Sequence, residues 1–135
     1  MILVDAGVLL ASEDSADAHH EDAVALLGAG IPLATIDLAA YEVTNVAEVR
    51  WRDPAAGERL RERIWLIAAF GRLVRVDRRL ADLAAQIARE RELSGYDAAY
   101  VAAADTLGVT LASCDERDLV RPGLAALPRD CLPGK

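Results

Sequence analysis

Short apolar runs recur along this chain, each followed by a segment with helical patterning, and that alternation constrains the fold more than any other feature. Ile2–Val4, Ile31–Thr35, Leu73–Val76 and Val109–Ser113 read as buried strands. About Asp17 to Leu27 reads as a helix closed by Gly28 and Gly30, after a turn rich in Ser, Asp and Glu. Asp37 is placed to cap a helix running to about Trp51. Asp53-Pro54 is a cap followed by Pro at the first helical position; that helix carries Leu60, Ile64 and Ile67 on one face and stops at Gly71. Asp77 caps another helix, with Leu80, Leu83, Ala84 and Ile87 inward. Ser94 to Asp97 has capping-box spacing and opens a helix of small residues ending at Gly108. The tail after Pro122 suggests an added edge strand. Strands that alternate with helices form an α/β fold, a parallel sheet with right-handed crossovers flanked by helices.

Four acids fall at or near the carboxyl ends of those strands. Asp5 ends MILVD, Glu42 lies one turn into the segment after IPLAT, Asp97 sits at the start of its helix, and Asp115 follows VTLAS after one residue. In an open, mostly parallel sheet the carboxyl ends of the strands form one rim, where ligands bind. Carboxylates gathered there repel unless a hard divalent cation lies between them. Metal-dependent phosphodiester hydrolysis needs only such oxygen ligands, without a histidine or serine nucleophile. Ser12 and Ser15 have no credible base partner, and no GxxxxGK[ST] phosphate loop is present.

Each acid also has an ordinary reading. Asp5 fits a strand-terminal turn, although a charge directly after three buried apolar residues is costly without a partner. Glu42 fits a solvated helix face, with Asn45 one turn along sharing its side. Asp97 suits a first helical turn on dipole grounds. Asp115 suits a turn, or the cap of a short helix through Leu119. Singly these signals are weak; their joint placement is specific.

Composition narrows the class. A chain of 135 residues with 53% apolar content is expected to be one domain with a real core. No uncharged stretch, Ile64 to Gly71 included, is long enough to cross a bilayer, and Asp5 interrupts the N-terminal apolar run, so neither a membrane span nor a signal peptide is expected. Cys114 and Cys131 are isolated, which fits a reduced, soluble cytoplasmic protein. Residues 1–49 hold nine acids and no Lys or Arg, whereas residues 50–135 hold thirteen acids and all fifteen basic residues. The net charge of −7 argues against a general nucleic-acid coat but not against an enzyme that grips phosphates locally. Arg50, Arg52, Arg59, Arg61 and Arg63 form the densest basic stretch, and the ordinary reading of such a run is a solvated helix face.

MILVDAGVLLA at the start, LAAYEVTNVA around Glu42, GYDAAYVAAADTLGVTLASCD in the last third and the ERDL after it, in that order and separation, resemble PIN-domain ribonucleases of the VapC toxin type. The resemblance covers nearly the full length and implies a single PIN domain over residues 1–135, with a three-layer α/β/α fold around a mostly parallel sheet. It implies metal-binding acids at Asp5, Glu42, Asp97 and Asp115, with Asp118 matching a further acid that some members carry. Ser113 matches a hydroxyl residue whose hydrogen bond helps orient the site, and Asn45 is a candidate for a similar supporting role. Ala6-Gly7 departs from the family, where many members have a hydroxyl or amide residue after the first Asp. The resemblance further implies Mg²⁺ or Mn²⁺ as cofactor, single-stranded or looped RNA as substrate, homodimerisation and inhibition by a cognate VapB-type antitoxin.

Rival readings are weaker. Response-regulator receivers need a Lys late in the sheet, and the only Lys is Lys135. Haloacid-dehalogenase-like phosphatases place a second Asp where this chain has Gly7. A catalytically silent PIN-fold binding module is the main alternative. His19 and His20 point about 100° apart on a helix, so a shared metal is not expected. Cys114 reads as a small space-filler, and Trp51 and Trp65 as core aromatics of amphipathic helices.

Overall fold

The computed structural model describes residues 1–134. Four strands, β1 (Ile2–Val4), β2 (Leu33–Ile36), β3 (Arg72–Val74) and β4 (Thr110–Ala112), form one sheet in the order β3-β2-β1-β4. Every pairing is parallel, with Leu3 opposite Ala34 on one side and Leu111 on the other, and Thr35 opposite Leu73. Helices α1 (Ala6–Glu13), α2 (His20–Leu27), α3 (Leu38–Thr44), α4 (Pro54–Phe70), α5 (Arg78–Arg91) and α6 (Gly95–Leu107) flank it, giving the three-layer α/β/α fold. The sheet grows from β1 to β2 to β3 on one side, and β4 then joins the opposite side of β1. The connections after β1 and β4 therefore diverge, leaving a crevice at the carboxyl ends of these two strands.

Local chemistry explains the helix starts. Asp53 Oδ1 accepts from the Ala56 amide at 3.1 Å with Pro54 next in line, Asp77 Oδ1 accepts from Leu80, and Ser94 Oγ accepts from Asp97. Each cap satisfies an amide that the first helical turn would leave unpaired. At the far end of α4, Gly71 is required by packing, because a Cβ there would stand 1.9 Å from the Leu33 carbonyl oxygen of β2. Gly108 ends α6 at φ 66°, a left-handed turn that glycine adopts without strain.

The core lies on both faces of the sheet. Leu3 and Val4 of β1 are fully buried, as are Val8 and Leu9 of α1, Leu26 of α2 and Ile64 of α4, and Leu60 is nearly so. On α6 the buried positions include Ala98, Ala102 and Ala103, small side chains that let this helix lie close to its neighbours. Leu80, Ala84 and Ile87 point inward from α5, and Leu83 is half-buried beside them.

Several sequence expectations change. Residues 6–13 form a helix that the sequence reading did not assign, because Asp5 caps it and its apolar residues are buried between layers, leaving no polar face to mark a period. The helix expected from Asp17 begins at His20: Asp14 and Asp17 each use a carboxylate to accept a backbone amide two residues on, holding the chain in turns. The helix expected from Asp37 to Trp51 is α3 followed by a π-helical segment, Asn45–Arg50. Asp37 does not cap it; its Oδ2 accepts from the Val76 amide instead. The C-terminal tail contributes a single parallel bridge, Ala126 to Ala112, and a 3-10 turn at Pro128–Cys131 rather than a full edge strand. Trp65 is 50% exposed, whereas Trp51 packs partly buried against the core.

Candidate metal centre

Asp5 leaves β1 at the crevice, its amide donating to the Ala112 carbonyl of β4 at 3.3 Å. Its Oδ1 accepts from the Val8 amide at 3.0 Å, so one carboxylate both caps α1 and faces the site. Across the crevice, Ser113 and Asp115 follow β4. The fully buried Ser113 hydroxyl accepts from the Asp115 amide at 3.0 Å and also hydrogen-bonds to the Asp5 side chain. Asp115 in turn caps a one-turn segment, Glu116–Val120, its Oδ1 accepting from the Asp118 amide at 3.0 Å. That turn swings Asp118 back toward Asp115. Asp97, third residue of α6, completes the group.

Carboxylate oxygens of Asp97, Asp115 and Asp118 lie within 4.8 Å of one another, a spacing that a single cation can bridge. Glu42 on α3 and Asp5 border the same group, and their charges are felt across it. Asp5 is buried, and loss of hydration pushes its carboxyl from 3.8 up to about 6, with the Ser113 and Val8 hydrogen bonds pulling down and Asp97 and Glu42 adding to the rise. Glu42 is raised first by burial and then by Asp97, against the hydrogen bond from Tyr100. Asp97 is raised by burial, then by Asp115 and Asp118. All three shifts favour the protonated acid: burial is the largest cause in each, and the neighbouring acids add to it. Among the described residues, no Lys, Arg or His forms an ion pair with Asp5, Glu42, Asp97 or Asp115; Arg117 stands 3.8 Å from Asp118 on the exposed side. A hard, oxygen-loving divalent cation fits this donor set.

The structure thus brings Asp5, Glu42, Asp97, Asp115 and Asp118 to one rim, with Ser113 joining two of them. Asn45 stands apart, exposed at the start of the π-helical segment, with no side-chain hydrogen bond to the acids. Tyr100 is the residue that sequence reading passed over. Only 2% exposed, it donates its hydroxyl to Glu42 Oε1 at 2.7 Å. A tyrosine one turn after a site acid, on a helix of buried alanines, was the available signal, because a buried phenol needs a partner.

Other residues take different places. His20 Nδ1 lies 2.8 Å from the Ala11 carbonyl, and His19 sits 3.7 Å from Glu116. Burial and nearby acids push the Cys114 thiol up to about 12, which leaves it a poor nucleophile. Two of the arginines reach across the fold, Arg59 to Glu13 of α1 and Arg61 to Thr44 and Glu48. A groove of about 800 Å³ contains none of the site acids; it runs between α1, α2 and α4 past Val24, Leu27 and Leu66.

Residues 2–123 match the PIN domain family. The chain belongs to the PIN-domain family. A comparison with curated proteins finds no match. The fold is shared with VapC20 of Mycobacterium tuberculosis, a Sarcin-Ricin loop cleaving toxin, at 21% identity and TM-score 0.76 over 91% of this chain and 95% of that one. It is shared with a toxin-antitoxin complex from Klebsiella pneumoniae, at 19% identity and TM-score 0.72 over 95% and 98%. A third neighbour, PAE2754 from Pyrobaculum aerophilum, is 26% identical with TM-score 0.67 over 96% and 84%.

Proposed function

We propose that this PIN domain, acting as a single unit over residues 1–135, is a metal-dependent endoribonuclease that cuts single-stranded or looped RNA. The observation that carries the reading is the acidic rim itself: Asp97, Asp115 and Asp118 in mutual reach, Asp5 and Glu42 beside them, and no cation paired to the four strand-end acids among the described residues. Asp5, Glu42, Asp97 and Asp115, with Asp118, would hold Mg²⁺ or Mn²⁺. When bound, the ion supplies Lewis acidity at the phosphate and a water activated at neutral pH. The protein's part is positional. Ser113 holds Asp5 and the Asp115 backbone in one arrangement, and the α1 cap fixes the Asp5 rotamer. Ionised acids are the binding form, so burial of Asp5 makes the empty site favour protons and the loaded site release them.

The family and the likeness to the mycobacterial toxin support a toxin acting in the cytoplasm under control of a VapB-type antitoxin. Val24 and Leu66, exposed on α2 and α4, line the groove between α1, α2 and α4, and Trp65 and Phe70 are exposed elsewhere on α4; these residues offer apolar surface for such a partner. The acid-only first 49 residues favour a basic inhibitory segment and speed its approach. A second apolar groove, about 370 Å³ and rimmed by exposed Tyr41, Val76 and Tyr96, is the surface offered to a second copy of the chain in a homodimer.

The test is cleavage of structured and unstructured RNA by purified protein, with and without Mg²⁺ or Mn²⁺, beside Asp5→Asn. Cleavage that needs the ion and disappears in the variant is expected. Wild-type protein inert toward every RNA with either ion present would leave a silent binding module as the better reading.

A further inference from the structure

The chemistry of Tyr100 is not accounted for by packing. Its side chain is all but sealed from solvent, and burying a hydroxyl without a partner costs free energy that phenylalanine would avoid. The hydroxyl is not idle: it donates to Glu42 Oε1 at 2.7 Å across 58 positions of sequence. The Glu42 side chain has no other hydrogen bond to the protein among the described residues, so its second oxygen is left to the acidic rim. Tyr100 stands one turn beyond Asp97 on α6. One buried hydroxyl therefore connects the helix carrying Asp97 to the carboxylate of Glu42 on α3.

Glu42 needs such a connection more than the other acids do. Asp5 is fixed by the α1 cap, and Asp115 caps the turn that carries Asp118, in each case through the acid's own carboxylate. Asp97 has a short side chain rooted in the first turn of a helix. Glu42 has one more rotatable bond than an aspartate, is half-exposed, and has no cap to hold it. Left free, its carboxylate would spread over several rotamers and would have to be ordered each time an ion binds.

From this geometry we propose that Tyr100 is a positioning residue: its hydroxyl holds one Glu42 oxygen so that the other faces the ion site ready-aimed. The proposal rests on the reading of the acidic rim as a cation site. Groups that orient metal ligands through hydrogen bonds typically matter by about 10-fold to 100-fold in affinity or activity.

The experiment is a double-mutant cycle on Mn²⁺ binding, measured by calorimetry on metal-free protein with RNA absent. Tyr100→Phe removes only the hydroxyl and is expected to weaken Mn²⁺ binding by about 10-fold. In the Glu42→Gln background the same change should have no further effect. Equal losses in both backgrounds would overturn the proposal, since Tyr100 would then act by packing. Wild-type affinity in Tyr100→Phe, with Asp97→Asn defective, would overturn it while leaving the cation site intact. Absence of Mn²⁺ binding by the wild type would overturn both. A second measurement avoids substitution at Tyr100: with ¹³C-labelled tyrosine, the Tyr100 ζ-carbon resonance should move on Mg²⁺ addition, more than those of Tyr41 and Tyr96. A Tyr100 signal that does not respond while Mg²⁺ binds would also overturn the proposal.

Discussion

Replacing Asp5 by Asn should stabilise the metal-free protein at neutral pH while abolishing ion-dependent cleavage. Burial pushes the Asp5 carboxyl from 3.8 in the open chain up to about 6 in the fold. Between those values the folded state binds more protons than the unfolded one, so stability falls as pH rises through the window. Below it both states are protonated and the fold loses nothing. Above it both are ionised, and at about 1.4 kcal/mol per pH unit the loss totals about 3 kcal/mol. The Ser113 and Val8 hydrogen bonds are already included in that value, because they act on the same carboxyl. Asn keeps the acceptor for the Val8 amide and carries no charge, so it should recover most of the loss. For a chain of this size that is roughly 10 °C in melting temperature. The assay is thermal unfolding followed by circular dichroism in chelator, at pH 7.5 and pH 4.5. At pH 4.5 the gap should shrink to about a third, since the folded carboxyl is then almost fully protonated. Saturating Mn²⁺ should reverse the order at pH 7.5, because only the wild type gains binding free energy on folding. An Asp5→Asn variant that melts at or below wild type in chelator at pH 7.5, or a gap that ignores pH, would refute this account of Asp5.

Asp97→Asn should lower Mn²⁺ affinity more than Asp118→Asn, because Asp97 is half-buried with both neighbours raising its pKa while Asp118 is exposed; calorimetric titration of the two variants decides it. Ser113→Ala removes a fully buried hydroxyl that serves both Asp5 and the Asp115 amide, so it should cost about 1–3 kcal/mol in chemical denaturation and move the onset of Mn²⁺ binding to higher pH. Onset at unchanged pH would detach Ser113 from Asp5. Gly71→Ala should cost about 3 kcal/mol or prevent soluble expression, since the new methyl would collide with the β2 backbone at Leu33; a melting temperature equal to wild type would show that α4 and β2 separate easily.

What was legible in the sequence was what short-range chemistry decides. The caps at Asp53, Asp77 and Ser94 are hydrogen bonds between residues three apart, so residue types alone betray them. The strands were found within one or two residues, because apolar runs bounded by caps and glycines have few other uses. Tertiary forces decided the rest. Helix α1 is buried enough to lack a polar face, and Arg61 reaches Glu48 and Thr44 from a helix that sequence cannot place beside the π-helical segment. Asp37 looked like a cap, but the Val76 amide, 39 residues away, occupies its carboxylate.

The same division runs through the site. Strand-end acids are legible because a parallel sheet makes their convergence a matter of topology: once β1 and β4 are neighbours, Asp5 and Asp115 must share a rim. What aims those acids is less legible, because Tyr100 meets Glu42 only when α6 and α3 have both docked. Asp5 joins the two levels. The sequence marks it as a charge at a costly place, and the structure supplies a local compensation in the Val8 amide, which any acceptor of similar shape would satisfy. The helix cap therefore explains why position 5 carries a short oxygen-bearing side chain but not why that side chain is ionisable. A cap alone would be served as well by Asn and, at neutral pH, with a more stable fold. The charge at position 5 needs a purpose outside folding, and a cation shared with Asp97, Asp115 and Asp118 is the use that the proposed function gives it.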